Sequence, residues 1–320
     1  MVKFKWRYIP KLVLGVLFCI SAILKAVSVE HFELYIFSLS VTSYDVSSIL
    51  ARLLISFELL LGIGLISNCY HRPVTILCAL SLILFSAFLI WRITLDDSTN
   101  CHCFGDIIEL KPSESIIKNI IFFLLLIPAW KNDIYSHTPK LWITGLAITA
   151  VTTSVFLTLP PDCLLRNHRN ASQEINNSLL CDYLHVNQLD SGIHMLCFYS
   201  TDCPYCHNCA GKIAGIISRN NVPMENILVV FMDKGENKTA KDTFFDKYGL
   251  GLHVNYTSLS PLDFIPLTNG SMPLVVIIKD STILKEYDYI TVDETEIVSL
   301  IGKHRQGASQ TDAAGSLLNR

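Results

Sequence analysis

The sequence has few charged residues for its length. Lys, Arg, Asp and Glu make up 17% of the 320 residues, and the net charge is only −3. It also lacks any basic stripe with interleaved aromatic residues, the pattern with which proteins contact phosphates and bases. No internal repeat is present. These absences exclude a nucleic-acid partner.

Apolar residues take the place of the missing charge. They make up 51% of the sequence, and the mean hydropathy is +0.41, which exceeds the usual value for a soluble domain. Nearly all long apolar runs lie in residues 1–160, whereas residues 161–320 have a mixed composition. We therefore predict a membrane domain over 1–160, a linker over 161–178, a soluble domain over 179–304 and a disordered tail over 305–320.

Five stretches of the first domain are long enough to cross a bilayer. A hydrocarbon core about 30 Å thick needs roughly 20 apolar residues of helix, because no water is present to satisfy an exposed backbone. The stretches are 10–29, 46–68, 73–93, 114–130 and 140–160. The predicted fold class is an α-helical transmembrane bundle of about five spans, followed by an α/β domain.

The basic residues predict the orientation of the spans. Cytoplasmic loops of membrane proteins are enriched in Lys and Arg, and such residues precede the first span and occur at Arg72 and Lys131. The loops at 30–45 and 96–113 are mainly acidic and are predicted to face outwards. We expect a bacterial inner-membrane protein in contact with lipid, with a cytoplasmic N-terminus and a periplasmic C-terminal domain, where disulfides persist.

Charged residues within the spans are candidate functional groups, because they are costly in lipid. Lys25, Arg52 and Arg92 lie near the predicted outer ends, where such side chains can reach the headgroups. Glu58 lies in the middle of its span, and we expect it to pair with Arg52 or Arg92. A role of Glu58 in quinone or proton handling is an alternative, whereas no cofactor is predicted for the soluble domain.

The stretch "DDSTNCHCFGD" between the third and fourth spans contains Cys101 and Cys103, separated by one residue. A disulfide between cysteines so close in sequence is strained and therefore easily reduced. His102, when protonated, would favour the thiolate that disulfide exchange requires. A redox-active pair is the favoured interpretation, and a metal site formed by the three residues or a permanent structural disulfide are the alternatives.

The motif "CHCFG" at 101–105, after a third apolar span and with "FELLLGIGL" in the second, resembles the DoxX-like family, in particular its methylamine-utilisation MauE branch. The resemblance covers about residues 8–160. It implies a compact bundle of transmembrane helices associated with redox or disulfide chemistry. For the MauE branch it also implies maturation of a periplasmic, disulfide-rich enzyme. The fifth span and the soluble domain extend beyond the minimal four-helix unit of that family.

The motif "STDCPYCHNCA" at 200–210 carries the chemistry of the soluble half. The apolar run at 193–200 predicts a buried strand, and the residues after Cys206 have helical periodicity. Cys203 therefore lies at a helix N-terminus, where unpaired N–H groups and the positive end of the helix dipole stabilise a thiolate. This arrangement predicts thiol-disulfide exchange.

Further apolar stretches at 226–234 and 271–280 predict two more buried strands. A hairpin partner follows at 282–290, and a closing helix is predicted over 292–304. This order of elements resembles the thioredoxin-like fold over residues 179–304.

The resemblance to thioredoxin-like proteins implies roles for particular residues. Cys203 would be the exposed nucleophile and Cys206 the resolving thiol. Pro273 would follow a cis peptide bond beside the dithiol, with Met272 lining the same surface. Cys209 departs from the family pattern, and it can pack on the helix, act as a third redox thiol, or complete a soft-metal site with Cys203 and Cys206.

A further pair, Cys163 and Cys181, flanks the predicted linker and could form a structural disulfide. The leading interpretation of the chain is a membrane-anchored thiol-disulfide oxidoreductase of undetermined direction, with no resident metal. Its dithiol would exchange with the pair at 101–103 and with the thiols or disulfides of extracytoplasmic client proteins. The alternatives are a soft-metal delivery or assembly factor, and a thioredoxin-like domain on a passive membrane anchor.

Overall fold

The chain divides into two compact units, Met1–Pro161 and Asp162–Arg320. The computed structural model describes residues 9–39, 42–94, 111–130, 139–166, 175–235, 238–249 and 254–301. The boundary between the units follows the last long apolar stretch, where the composition changes from mostly apolar to mixed.

The first unit is helical. Its described helices are α1 (Ile9–Val27), α2 (Val29–Ser38), α3 (Tyr44–Ser67), α4 (His71–Thr94), α5 (Pro112–Trp130) and α6 (Leu141–Thr158). Within the described residues, four helices are long and apolar enough to cross a membrane by length and composition, namely α1, α3, α4 and α6. The predicted span at 114–130 forms α5, which is not one of these four.

The outer surface of the bundle is apolar. Ile23, Leu84 and Trp142 are 55%, 61% and 67% exposed, and they belong to three of the four candidate spans. Large apolar patches of this kind are unfavourable in water and favourable against lipid tails.

Helix α2 occupies residues that were predicted to be an acidic loop, at 30–45. That prediction was wrong because Phe32, Tyr35 and Ile36 recur at helical spacing and are buried together. Glu33 lies on the same buried side and is 1% exposed. The acidic residues of this stretch therefore do not all belong to an exposed loop.

Helices α1 and α3 cross closely because each has a glycine at the contact. A Cβ atom on Gly15 would lie 2.9 Å from the carbonyl oxygen of Gly62, and a Cβ atom on Gly62 would lie 2.8 Å from that of Gly15. Small residues allow helix backbones to approach in lipid, where packing replaces the hydrophobic effect as the force for association. Both positions therefore require glycine.

Polar contacts at one end of the bundle join four helices. The Lys11 ammonium of α1 bonds to the side chain of Asn68, which follows α3, and lies 2.8 Å from Nδ1 of His71 in α4. Nε2 of His71 lies 3.2 Å from the carbonyl oxygen of Trp130 in α5. This end of the bundle therefore contains the N-terminal ends of α1 and α4 and the C-terminal ends of α3 and α5.

A second polar cluster marks the opposite end. Arg52, near the start of α3, forms an ion pair with Glu33 and donates from Nε to the carbonyl oxygen of Leu159 at 2.8 Å. Arg92, near the end of α4, lies 5.2 Å from the ring centre of Tyr35. The prediction that Arg52 reaches the headgroups was wrong, because its side chain is 3% exposed and its guanidinium has partners inside the bundle.

The second unit is an α/β domain. Its described elements are α7 (Asp162–Arg166), α8 (Asn177–Val186), β1 (Ile193–Tyr199), α9 (Pro204–Asn220), β2 (Ile227–Met232), α10 (Lys238–Tyr248), β3 (Asn255–Leu259), α11 (Pro261–Thr268), β4 (Leu274–Lys279), β5 (Thr282–Tyr287) and helical residues 294–301. The described strands form a sheet of order β3-β2-β1-β4-β5, in which β1, β2 and β3 are parallel. Strand β4 is antiparallel to both of its neighbours, β1 and β5.

Helices cover both faces of the central strand β1. Leu196 and Phe198 point to one face and belong to an apolar cluster with Phe264 of α11. Cys197 and Tyr199 alternate to the other face, where they pack with residues of α9. Burial on both faces explains why β1 has a continuous apolar sequence instead of an alternating one.

Two elements of this unit have no clear signal in the sequence. Strand β3, "NYTSL", is a short and mostly polar edge strand that forms by pairing with β2. Within the predicted linker at 161–178, helix α7 packs on the domain through ion pairs of Asp162 with Lys212 and of Arg166 with Asp293. Both elements depend on partners that lie far away in sequence.

Candidate functional site

The dithiol lies where β1 leads into α9. Strand β1 ends at Tyr199 and the helix begins at Pro204, so that Cys203 caps the helix. Its sulfur accepts a hydrogen bond from the backbone N–H of Cys206 at 3.2 Å. Its carbonyl oxygen accepts bonds from the N–H groups of Cys206 at 3.0 Å and His207 at 3.1 Å. Pro204 suits the first helical position, because the missing N–H would have no partner there.

The two thiols have opposite electrostatic environments. A hydrogen bond from the Cys206 side chain and the backbone N–H groups of Cys206 and Tyr205 outweigh partial burial and lower the pKa of Cys203 to about 6, with a smaller contribution from Lys234. Burial raises the pKa of Cys206 far above its ordinary value, and its side chain is 0% exposed. At neutral pH Cys203 is therefore mainly a thiolate, and Cys206 is a thiol behind it.

The register of the sheet brings Pro273 to the same edge. Phe198 of β1 pairs with Leu274 of the antiparallel strand β4. The residues just before Leu274 therefore lie next to the end of β1, from which the chain continues to Cys203. The Met272–Pro273 peptide bond is cis, as the resemblance to thioredoxin-like proteins implied. The role of these two residues towards a client stays a prediction.

His207 holds the loop that precedes the dithiol. Its Nε2 donates to the carbonyl oxygen of Thr201 at 2.6 Å, and its ring stacks on Tyr248 with centroids 3.8 Å apart and planes 4° from parallel. This contact was missed from the sequence, because Tyr248 belongs to α10 and no local pattern connects the two rings.

Cys209 lies one helical turn beyond Cys206 on the buried side of α9. It is 0% exposed, and the hydroxyl group of Tyr199 donates to its sulfur at 3.7 Å. Burial raises the pKa of Cys209 to about 12. Across the described ranges, no group of three or more His, Cys, Asp or Glu side chains is arranged to hold a metal ion. The environment of Cys209 is that of a packing residue.

Four other cysteines were predicted to form disulfides, two in the soluble half and two in the loop after α4. Cys163 lies in α7 and Cys181 is exposed in α8, and the predicted disulfide between them is absent from the described part of the chain. Each belongs to a separate helix, and α7 is placed by ion pairs. Cys101, His102 and Cys103 lie outside the described residues.

Glu58 forms an ion pair with Lys25 of α1 and accepts a bond from the Ser21 hydroxyl at 3.3 Å. The expected pairing with Arg52 or Arg92 was wrong. Arg52 precedes Glu58 by six residues on α3, which places the two side chains about 120° apart around the helix. Lys25 lies on the helix that packs against α3.

The Lys25–Glu58 pair lines a cavity of about 400 Å³ to which all of the helices α1 to α5 contribute. The other lining residues are mostly leucine and phenylalanine. The polar lining residues are Ser21, Lys25, Glu58, Ser81, Lys118 and Asn119. The bundle thus contains a mainly apolar chamber with a few polar groups.

Comparison with known proteins supports the division into two parts. Residues 7–131 match the family model described as methylamine utilisation protein MauE. Protein TlpB of Flavobacterium psychrophilum is 26% identical, in an alignment that covers 91% of this chain and 94% of that protein. The first match covers α1 to α5, and the second extends over both units. Residues 7–131 are thus similar to the MauE family, which supports a MauE-type membrane domain in this part of the chain; the wider DoxX-like relationship stays a prediction.

Proposed function

We propose that this protein is a membrane-anchored thiol-disulfide oxidoreductase. The observation that carries the proposal is the asymmetry of its two thiols. Cys203 caps a helix, is partly exposed and has a pKa lowered to about 6 by hydrogen bonding to Cys206 and nearby backbone N–H groups. Cys206 is buried directly behind it and stays protonated. An accessible thiolate with a resolving thiol is what exchange chemistry requires.

In the proposed reaction the Cys203 thiolate attacks a disulfide of a client protein. A mixed disulfide forms, and one client sulfur leaves as a thiolate. Cys206 then loses its proton and attacks the Cys203 sulfur, which releases the second client sulfur. The client gains two electrons and two protons, and Cys203 and Cys206 are left joined by a disulfide. The reverse sequence oxidises a client, and the reduction potentials of the two partners determine the direction.

We also propose that the α/β unit is thioredoxin-like. The order of strand β1, dithiol, helix α9 and parallel strand β2 supports this assignment. So does the cis peptide bond before Pro273, which leads into the antiparallel strand β4 and its hairpin partner β5. Strand β3 is an addition to the order inferred from the sequence.

The proposed membrane arrangement has five spans, with a cytoplasmic N-terminus and a periplasmic α/β unit in a bacterial inner membrane. The C-terminal end of α5 lies beside the N-terminal end of α4, so the two helices run antiparallel. This is the direction that α5 needs if it crosses the membrane after α4. Helices α4 and α6 both have their C-terminal ends at the end of the bundle that contains Arg52 and Arg92. The segment with Cys101 and Cys103 follows α4, and the α/β unit follows α6. We therefore propose that this pair exchanges with the dithiol.

A trapping experiment on the full chain in membranes tests the exchange. Cys206→Ser removes the resolving thiol, so mixed disulfides between Cys203 and client proteins should accumulate on a non-reducing gel. Cys203→Ser should trap none, and Cys181→Ser, which removes an exposed thiol outside the site, should leave trapping in the Cys206→Ser background unchanged. Absence of mixed disulfides with a folded Cys206→Ser protein would contradict the proposal.

The exchange between the two cysteine pairs needs a separate test. In a Cys103→Ser/Cys206→Ser double variant, Cys101 and Cys203 should form a disulfide that mass spectrometry identifies. If Cys101→Ala instead leaves the exchange activity of the protein unchanged, the bundle acts as a passive anchor.

A further inference from the structure

The cavity in the bundle opens between α3 and α4. Among its described lining residues, those that are also exposed on the outer surface all belong to these two helices, namely Leu54, Phe57, Leu77, Leu80 and Leu84. The described lining residues of α1 and α2 are buried. Because the exposed surface of α3 and α4 is apolar and both are candidate spans, the mouth of the cavity faces lipid.

Helices α3 and α4 are in close contact near the short turn that joins them. A Cβ atom on Gly64 would lie 3.1 Å from a methyl carbon of Val74. Further from this turn, seven positions along each antiparallel helix, Phe57 and Ser81 both line the cavity. The space between the two helices therefore begins beyond their contact, as a cleft that continues along both helices.

The lining of α4 forms a stripe along one face of the helix. Lining residues occur at positions 77, 80, 81, 84, 85 and 88, which is the spacing of residues on a single helix face. From Leu77 to Phe88 the stripe extends about 16 Å along the axis, at 1.5 Å per residue. This length is close to half of a hydrocarbon core about 30 Å thick, which is the distance that one lipid chain covers.

The charged groups that line the cavity interact with each other. Lys25 and Glu58 form an ion pair, and the Glu58 carboxylate also accepts a hydrogen bond from Ser21 and attracts the ammonium group of Lys118. The Lys118 nitrogen lies 5.7 Å and 5.6 Å from the centres of two phenylalanine rings. These charges therefore have partners within the protein.

The neutral polar groups of the lining also have partners. The side chain of Asn119 donates to the Ser86 hydroxyl at 3.0 Å, and the Ser81 hydroxyl donates to the carbonyl oxygen of Cys78 at 3.0 Å. A polar ligand would have to compete with these bonds. The surface that the cavity offers to a ligand is therefore that of its leucine and phenylalanine side chains.

We propose that this cavity binds a fatty acyl chain of a membrane phospholipid. The chain enters between α3 and α4 and lies along the stripe of α4, and the headgroup stays outside. An empty apolar cavity lacks the dispersion contacts of its lining atoms, and a chain restores them. Acyl chains are favoured over other hydrocarbons because they are the molecules that surround the mouth. This inference goes beyond the proposed function, since it does not involve the dithiol.

Photolabelling of the full chain in phosphatidylcholine nanodiscs tests the site. The probe is a phosphatidylcholine with a diazirine in the middle of one acyl chain, and labelled residues are identified by mass spectrometry. Phe18 and Phe122 line the cavity but are only 5% and 7% exposed, so lipid outside the bundle does not reach them. We expect label on both. Label confined to outward-facing residues such as Ile83 would overturn the proposal.

Matched variants locate the chain. Ser81→Trp fills the cavity and should lower the labelling of Phe18 and Phe122 at least about tenfold, which corresponds to about 1.4 kcal/mol. Ile83→Trp is the control on the same helix and should leave this labelling unchanged, because Ile83 is 53% exposed and is not among the described lining residues. Equal labelling in wild type and a folded Ser81→Trp protein would overturn the proposal. If Ser81→Trp does not fold, the labelling pattern of the wild type decides.

A second probe distinguishes an acyl chain from an isoprenoid chain. It carries the same phosphocholine headgroup and a diazirine-labelled isoprenoid chain, at the same mole fraction. We expect it to label Phe18 and Phe122 more weakly, because it is scarce beside the unlabelled acyl chains and its methyl branches make it wider. Labelling of both residues by the isoprenoid probe as strong as that by the acyl probe, or stronger, would overturn the assignment to an acyl chain.

Discussion

The ion pairs of the bundle and the dithiol of the α/β unit stabilise charge in different ways. In the bundle, the charges of Arg52 and Lys25 are paired with the carboxylates of Glu33 and Glu58. At the dithiol of the α/β unit, the negative charge of Cys203 is instead stabilised mainly by neutral donors, namely a thiol and backbone N–H groups. Because no water is available inside the bundle to solvate a charge, the charged side chains pair with each other between helices. Backbone N–H groups at a helix N-terminus, in contrast, leave the sulfur accessible and reactive. The first arrangement serves stability, and the second serves chemistry.

The largest expected effect tests the bundle side of this comparison. Arg52→Met leaves Glu33 buried without its ion partner, and removing one member of a buried pair typically costs about 3–5 kcal/mol. We expect that loss in the free energy of unfolding, measured in detergent with a denaturant series. The pH profile of Cys203 alkylation in the separate unit should stay unchanged.

The double variant Glu33→Gln/Arg52→Met serves as the control, because it removes both charges. It should recover most of the lost stability, since no uncompensated charge remains. A single Arg52→Met variant as stable as wild type would show that this pair does not hold α2 and α3 together.

The next effect tests the dithiol side. Because hydrogen bonding lowers the pKa of Cys203 to about 6, its alkylation rate should be nearly constant above pH 7 and fall about 100-fold between pH 8 and pH 4. The thiolate also stabilises the reduced folded state above the ordinary cysteine pKa, and this contribution to the free energy of unfolding is lost as the pH falls through about 6. Iodoacetamide labelling of the Cys203 peptide, followed by mass spectrometry, measures the rate. A midpoint near the ordinary value of 9.0 would contradict the proposed stabilisation.

A smaller effect concerns the packing of α1 on α3. Gly62→Ala places a methyl group 2.8 Å from the Gly15 carbonyl oxygen, and we expect a loss of about 1–3 kcal/mol from overpacking. Gly145→Ala in α6 is the matched control, because no atom of the described residues lies within 4 Å of the position that its new methyl group would occupy. Thermal unfolding in the same detergent compares the two variants, and equal melting temperatures would contradict a close glycine contact.

The smallest effect concerns the loop beside the dithiol. His207→Phe keeps a ring that can stack on Tyr248 but removes the hydrogen bond to Thr201, which is worth about 1 kcal/mol. We expect a slightly less stable α/β unit and unchanged stability of the bundle, measured by domain-resolved hydrogen exchange. His207→Ala removes the stacking as well and should cost more; equal losses in both variants would show that the stacking does not contribute.

The sequence by itself determined the features that depend on near neighbours in the chain. Apolar runs of about 20 residues indicated four helices that the structure retains as candidate spans. The strand-dithiol-helix order placed Cys203 at a helix N-terminus, since both the periodicity and the free N–H groups are local properties. The position of Pro273 before a strand followed from the same kind of local pattern.

Only the tertiary structure decided which distant residues meet. Lys25 rather than Arg52 pairs with Glu58, because helix packing and not sequence spacing brings the charges together. Strand β3 exists because β2 offers an open edge, and the stacking of His207 on Tyr248 requires α9 and α10 to be neighbours. Local patterns reveal what each segment can form, but the partner of a buried charge or ring is determined by the packing of the whole unit.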